Sequence, residues 1–425
     1  MKPALSLFVI IATLLLVGCG GGSGFVESKD TPAKTRTSRS KTPTTATVHA
    51  TSTPARTPAH IPSKPSNASG YAAAIASYLN DAGDSALEDD CLKSLFEKWD
   101  MPWGADSPSC IVGNTDADAE KEVAVLLSDV SSDLSVWQIV VFDSPEGVFK
   151  VAYQSEPVEV PGGDMPEWRP RLLAAGDVNK DGKGEVVYAE NVCGAHTCSI
   201  TVRILTGAAS GYVSLAGDEV TMATATVSLE DQDGDGPLEI LLHGGEIGSV
   251  GAGLQRTRTD VYAWDGSAYT LRGTVLDPTD ILYLRVTEAD ALFMAGMYDK
   301  ALAVFQEALN DPTLRTWKEP SMMVAPEREE LHAYILFLMG LSSFGVSGPN
   351  QQGVDYIQQA VDEYGGYLHG DMAAAFLASF LPDENVSAAC AAVEGFVTDN
   401  LNLFEAFWDY GYANPTFSAD TVCPF

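Results

Sequence analysis

The feature that most constrains the fold is a short acidic loop that the sequence repeats three times, each time followed by an apolar strand. The copies are "GNTDADAEKEVAVLL" (113–127), "GDVNKDGKGEVVYAE" (176–190) and "LEDQDGDGPLEILLH" (229–243). Their first loop positions, Asn114, Asp177 and Asp231, are 63 and then 54 residues apart. Recurrence at such a spacing indicates repeated supersecondary units. The sequence therefore predicts a β module built from three similar parts.

Each loop carries acidic or amide side chains at positions 1, 3 and 5 and a glutamate at position 9. Oxygens at alternate positions of a tight loop converge on one point, which suits Ca²⁺. An EF-hand is excluded, because its glutamate at position 12 would be Tyr188 in the second copy and Leu242 in the third. The alternative is an Asx-rich turn without an ion, but its carboxylates would repel one another. The expected ligands are Asn114, Asp116, Asp118 and Glu122, then Asp177, Asn179, Asp181 and Glu185, then Asp231, Asp233, Asp235 and Glu239.

The first loop departs from this pattern at two positions. Asn114 stands where the other copies have aspartate, and Ala119 stands where they have glycine. A glycine there lets the backbone turn sharply. We therefore expect the first loop to bind calcium least well.

An apolar strand precedes each loop, and two alternating strands around a tight turn follow it. Asp265-Gly266 is the strongest of these hairpin signals. Each unit is thus a predicted four-stranded meander, and residues 109–277 resemble the FG-GAP (VCBS, integrin-like) β-propeller repeat family. The resemblance implies a calcium loop between the first two strands of each blade. Since closed propellers have at least four blades, the module stays open, or is closed by residues 70–108, or is closed by another chain.

From Asp280 onward the apolar period changes from two to about 3.6 residues, which indicates helices. "ADALFMAGMYDKALAVFQEALNDP" (289–312) resembles a tetratricopeptide repeat, and the alternative is an unrelated helical hairpin domain. A second copy carries Gly353, Ile357 and Ala360 at matching positions, and residues 373–397 are a weaker third. The residues that carry the first match are Ala289 and Leu292 on one helix, Gly296 and Tyr298 at the turn, and Ala301, Phe305 and Ala308 on the next helix.

The N-terminal segment has the pattern of a secretory signal. An apolar run from Leu7 to Val17 is too short for a bilayer span, and Leu16-Val17-Gly18-Cys19 resembles the lipobox of bacterial lipoproteins. The resemblance implies cleavage before Cys19 and acylation of that residue; the alternative is a cysteine near an ordinary cleavage site. Residues 27–69 are about half Ser, Thr and Pro, which predicts a disordered stalk.

Charge and cysteine content narrow the class of protein. Eight of the 25 Lys and Arg residues but only two of the 58 Asp and Glu residues lie in residues 1–65, so the remainder carries 17 basic and 56 acidic side chains. A body this acidic excludes nucleic-acid binding through phosphate contacts. Zinc is disfavoured over disulfides because the sequence has no Cys-x-x-Cys motif. Six cysteines allow fifteen disulfide pairings, and we favour those within one unit: Cys91–Cys110, Cys193–Cys198 and Cys390–Cys423.

No motif selects a catalytic site. The chain has no G-x-S-x-G, and "GGEIGSVGAG" (244–253) lacks the lysine of a phosphate-binding loop. The expected function is that of a surface-anchored, calcium-stabilised interaction protein without catalysis, bound to an unidentified protein or glycan and facing outward from the cell envelope, on the outer membrane if the host has one. The competing class is an extracellular hydrolase that acts on polysaccharide through carboxylates.

The predicted fold is multidomain, with an all-β propeller-like repeat module followed by an all-α tetratricopeptide-like domain. The expected divisions are 1–19 (signal peptide and lipobox), 20–69 (disordered stalk), 70–108 (helical lead-in), 109–277 (calcium-loop β module) and 278–425 (helical domain).

Overall fold

A computed structural model describes residues 60–88, 91–101, 109–116, 118, 120–130, 134–161, 169–209, 211–318 and 326–425. Cys19, the signal segment and most of the predicted stalk lie outside the described residues. Within them, three antiparallel sheets precede a helical region, so the predicted order of a β module and an α domain is confirmed. No sheet formed by the described residues closes on itself.

In the described part of the chain, fourteen strands form the three sheets. The first contains β1 (Cys110–Gly113), β2 (Glu122–Val130), β3 (Leu134–Asp143), β4 (Lys150–Gln154) and β5 (Val158–Pro161). The second contains β6 (Arg171–Gly176), β7 (Glu185–Cys193), β8 (Cys198–Ala208), β9 (Gly211–Ser214) and β10 (Thr221–Ala223). The third contains β11 (Thr226–Glu230), β12 (Glu239–Gly244), β13 (Arg258–Trp264) and β14 (Tyr269–Leu276).

The predicted four-stranded meander describes the third sheet, whereas the first two sheets have five strands. Their third strands are longer, with 10 residues in β3 and 11 in β8 against seven in β13. One short neighbour cannot cover such a strand, so β4 pairs with its end and β5 with its beginning. In the second sheet β9 and β10 divide β8 in the same way.

The sheets stack face to face because their central strands are apolar on both sides. Side chains alternate between the faces of a strand, and on β2 Ala124 and Leu126 face a core shared with Val186 and Tyr188 of the second sheet. The other face of β7, which includes Val187, contributes to a core shared with the third sheet. The order along the stack is therefore first, second and third sheet.

Three helices cover the outer face of the first sheet. They are α1 (Tyr71–Ala82), α2 (Asp84–Glu88) and α3 (Lys93–Trp99). Their buried side chains share one core with Val123 and Val125 of β2, the residues that alternate with those facing the second sheet. The lead-in segment thus covers one end of the stack, and the sheets of the described residues do not close.

The helical region packs around one large core. Its helices are α4 (Leu282–Met294), α5 (Tyr298–Asn310), α6 (Glu327–Ser347), α7 (Gln351–Tyr364), α8 (Leu368–Asp383), α9 (Val386–Asp399), α10 (Leu401–Trp408) and α11 (Ala419–Val422). The apolar positions predicted from the helical period are buried on α4, α5 and α7. Among the described helices, α6 is long and apolar enough to span a membrane, with a mean hydropathy of 1.2 over its most apolar 18 residues. Of these residues 78 % are buried inside the protein, which is typical of a core helix.

The glycine-rich segment 244–253 connects the β module to the C-terminal segment of the chain. Leu254 N donates to Tyr410 O at 3.1 Å, and Tyr412 N donates to Gly251 O at 3.1 Å. Gly253 has φ +82°, and a Cβ on it would lie 1.7 Å from Tyr410 O. The glycines therefore permit a backbone contact between the two parts of the chain.

All three expected disulfides are present. Cys91–Cys110 joins the lead-in helices to β1, Cys193–Cys198 joins the ends of β7 and β8, and Cys390–Cys423 joins α9 to the C-terminal segment. The predicted pairing is therefore confirmed, and the first bond links the lead-in segment to the first sheet.

We expect Gly353→Ala to destabilise the helical region, because α6 and α7 touch there. A Cβ at Gly353 would lie 2.8 Å from Gly340 O and 2.3 Å from the Phe344 ring. Overpacking of this kind costs about 1–3 kcal/mol. The matched control is Gly395→Ala on α9, where a Cβ meets nothing and the substitution should stabilise by about 0.5–1 kcal/mol. Urea unfolding of both variants measures the difference, and equal midpoints would contradict the close contact.

Candidate metal centres

The three acidic loops lie along one edge of the sheet stack. Each connects the first two strands of its sheet, β1 to β2, β6 to β7 and β11 to β12. Neighbouring loops are also in contact: Gly184 N donates to Asp116 O at 3.3 Å, and Leu238 N donates to Val178 O at 2.8 Å. The expected ligand residues are therefore brought together in one row of loops.

The loops share hydrogen bonds as well as sequence. The glutamate at position 9 is buried in every copy, with an exposed fraction of 0–2 %. Its Oε2 accepts the backbone N–H of position 2, and the side chain at position 3 accepts the N–H of position 5. The first bond joins Glu122 to Thr115, Glu185 to Val178 and Glu239 to Gln232. The second joins Asp116 to Asp118, Asn179 to Asp181 and Asp233 to Asp235.

In the first two loops the second oxygen of the glutamate has no hydrogen-bond partner. Glu122 Oε1 and Glu185 Oε1 are both buried and unpaired, as is Asp177 Oδ1. The pKa of Glu122 and of Glu185 is raised to about 7, mainly by burial, and repulsion from Asp116 and Asp181 respectively is part of this shift. A buried carboxylate oxygen without a partner costs free energy. A cation would supply the missing partner, so the residues present fit Ca²⁺, whose usual ligands are oxygens.

The first loop includes a carboxylate that the loop pattern did not identify. Asp116, Glu122 and Asp143 each offer an oxygen, and these three oxygens lie within 4.8 Å of one another. Asp143 is the last residue of β3, 21 residues after Glu122. Only the strand register could have revealed it, because Val123 pairs with Phe142 and so brings the ends of β2 and β3 together.

The third loop includes a positive charge. Oxygens of Asp231, Asp233 and Glu239 lie within 4.8 Å of one another. Arg272 Nη1 on β14 is 2.5 Å from Asp233 Oδ2 and 3.8 Å from Glu239 Oε1. Its hydrogen bond holds the pKa of Asp233 below the usual range. The guanidinium thus neutralises part of the charge that a metal ion would otherwise meet.

The aspartates at position 5 hold the loop backbone in the first two copies. Asp118 Oδ1 accepts Glu120 N, and Asp181 Oδ1 accepts Lys183 N, both at 2.8 Å. In the third copy position 7 is Pro237, which has no N–H to donate. Gly234 N donates to Asp231 Oδ1 there instead, at 2.8 Å.

Two other sites contain carboxylates that could serve catalysis, a cavity and a buried pair. A cavity of about 480 Å³ is lined by Glu307 and Asp311, among others. Glu307 pairs with Arg285, and hydrogen bonds from Thr313 lower the pKa of Asp311, so this carboxyl is unsuited to act as a general acid near neutral pH.

The second site is a buried pair in the helical core. His369 Nδ1 lies 2.7 Å from Glu330 Oε2, and Trp408 Nε1 donates to His369 Nε2 at 3.2 Å. Since indole N–H can only donate, His369 Nε2 accepts and the proton of the neutral ring is on Nδ1. Both residues are at most 1 % exposed, so the pair is structural.

A search against protein-family models found no match to this chain, and a search of curated protein sequences found none either.

We expect Glu185→Gln to have opposite effects on stability with and without calcium. The amide oxygen can still accept Val178 N–H, but the substitution removes a buried charge. Without metal at pH 8, the free energy of unfolding should be unchanged or raised by up to about 1–3 kcal/mol. With calcium at a hundredfold excess over Kd, the wild type gains about 2.7 kcal/mol per site, and the variant should forgo the gain of its second loop.

The measurement is thermal unfolding of the full chain during titrations with calcium and with magnesium at fixed ionic strength. Magnesium should stabilise less, because it demands a near-ideal octahedron. The control is Glu246→Gln, which removes an exposed carboxylate beyond the opposite end of β12. If unfolding ignores both calcium and EDTA, the loops are Asx-rich turns without an ion.

Proposed function

We propose that the chain is a lipid-anchored, calcium-stabilised binding protein of the bacterial cell envelope that acts as a scaffold and has no catalytic activity. The observation that carries this proposal is the row of three loops with the same hydrogen bonds, two of which hold a buried carboxylate oxygen without a partner. Calcium at these loops stabilises the β module and is not consumed by a reaction. The ligands in this proposal are the loop residues of all three copies.

The β module supports a binding role through its edge. Loops supported by a stack of sheets are a common location for binding residues, and here three loops lie side by side on one edge. In this proposal the sheets are propeller-like blades of the FG-GAP or VCBS type, with the lead-in helices taking the place of a further blade.

The helical region offers a second surface. In this proposal its helix pairs are tetratricopeptide-like repeats, which stack so that one side is free to bind a protein or a glycan. The high negative charge of the folded part disfavours anionic polymers as ligands. A neutral or basic partner in the envelope fits this charge best.

The lipid anchor makes a separate prediction. Cys19→Ala should abolish incorporation of labelled palmitate, because it removes the sulfur that is acylated. It should also release or mislocalise the protein, because stable anchoring needs two or more acyl chains. Ser23→Ala, a nearby substitution outside the lipobox, should leave labelling unchanged. Labelling is measured in the native host after fractionation, and a Cys19→Ala protein that still incorporates palmitate at its N-terminus would rule the anchor out.

Binding is tested by recovery of envelope components on the immobilised full chain, with calcium or with EDTA. We expect at least one component to be retained only with calcium, and to be lost from the variant with Glu122→Gln, Glu185→Gln and Glu239→Gln together. The control is Glu246→Gln. Retention that is equal on the heat-denatured chain would contradict specific binding. Release of sugar fragments from envelope polysaccharide would favour the hydrolase instead.

A further inference from the structure

We propose that Asp143 is a ligand of the first metal site, which is therefore formed by two strands and a loop and not by the loop alone. This inference rests on the proposed calcium role of the loops. To the copy whose loop sequence is the least regular it adds a ligand that lies outside the repeated loop pattern.

The distances fit one ion. The closest oxygens of Asp116, Glu122 and Asp143 are within 4.8 Å of one another. Two oxygens on opposite sides of a Ca²⁺ ion are about 4.6–5.2 Å apart, since each Ca–O distance is about 2.3–2.6 Å. Three oxygens this close can share one ion after side-chain shifts of a few tenths of an ångström at most.

Unpaired buried oxygens point independently to a missing partner at this position. Glu122 is 0 % exposed, and its Oε2 is engaged by Thr115 while its Oε1 has no hydrogen-bond partner. Asp143 Oδ1 is likewise buried and unpaired. Each of these two oxygens lacks both hydration and a protein partner, a cost that a bound cation or a proton would relieve.

The strand register explains why only the first unit has this ligand. The ends of β2 and β3 meet at Glu122 and Asp143, one step beyond the Val123–Phe142 pair. In the second unit Glu185 pairs with Thr206, whose hydroxyl donates to Gly184 O at 3.0 Å. At this end of the strands the second unit thus has a hydroxyl where the first unit has a carboxylate.

Asp143 also compensates for the change at the first loop position. Asn114 has no charge, and its Nδ2 donates to Asp118 O at 2.6 Å, so this amide supports the loop backbone. The third copy has a carboxylate at this position, Asp231, and in the first copy a carboxylate comes from β3 instead. With Asp143 the first site has four carboxylates, as the third loop has and one more than the second loop, and the number of carboxylates tunes calcium affinity.

The test isolates the first site in the full chain. The parent variant carries Glu185→Gln and Glu239→Gln, which weaken the other two sites while an amide oxygen can still accept the N–H of Val178 and Gln232. Calorimetric titration of the parent with calcium should show one site per chain. Adding Asp143→Asn should weaken its Kd by at least about tenfold, because a charged ligand is lost.

The matched control is Glu120→Gln, which removes an exposed carboxylate of the same loop and should change Kd by less than about threefold, the effect of a solvent-exposed charge. Asp143→Thr introduces the residue that the second unit has at this place, Thr206. It should weaken binding as much as Asp143→Asn does, so the test remains valid if one of the two variants folds poorly. Without metal, neither Asp143 variant should unfold at a lower temperature than the parent, whereas both would do so if Asp143 had only a structural role.

The outcomes separate the two proposals. A wild-type chain that binds no calcium overturns both the calcium role and this inference. A wild-type chain that binds calcium, with a parent that binds none, overturns this inference alone. The same holds if both Asp143 variants keep the affinity of the parent.

Discussion

The hydrogen bond between a buried glutamate and the backbone of its own loop organises the β module. In each unit the glutamate begins the second strand and accepts the N–H of loop position 2. In the first and third units an oxygen of this glutamate lies within 4.8 Å of oxygens of two other carboxylates, and the bond fixes the loop against the sheet. It uses one carboxylate oxygen and leaves the other buried among like charges in the first two units. The sheets are thus built with a local electrostatic cost that a cation would offset.

Burial on both faces of the strands determines how the units are arranged around these loops. Because β2 and β7 are apolar on both sides, each sheet needs a partner on each face, and the lead-in helices serve the first sheet. Across the junction with the helical region, Arg256 pairs with Glu288 of α4 at 2.8 Å. Arg285 of the same helix also pairs with Glu288, at 2.7 Å. The backbone contact between segment 244–253 and residues 410–413 lies at the same junction. Polar contacts therefore join the β module to the helical region, while each module is stabilised by its own core.

Local features could be predicted from the sequence, and features that depend on strand length and register could not. The acidic loops, the Asp265-Gly266 turn and the buried face of α5 each follow from residues that are close in the chain. The fifth strands of the first two sheets depend on the length of β3 and β8, which the hydrophobic pattern defines poorly. Asp143 and Arg272 reach their loops from later strands, so only the register of folded sheets brings them there.

The same dependence on register has made the three loops chemically different. The first gains the carboxylate of Asp143, the second has neither addition, and the third gains the guanidinium of Arg272. The side chain of Arg272 is 52 % exposed, so water screens its ion pair with Asp233 and the pair adds little stability. A cation at the third loop would have to displace this guanidinium, and its net gain there would be smaller than at a loop without one. The regular sequence of the third loop is therefore a poor guide to the charge around it, and residues that arrive from neighbouring strands determine how strongly each loop would favour a cation.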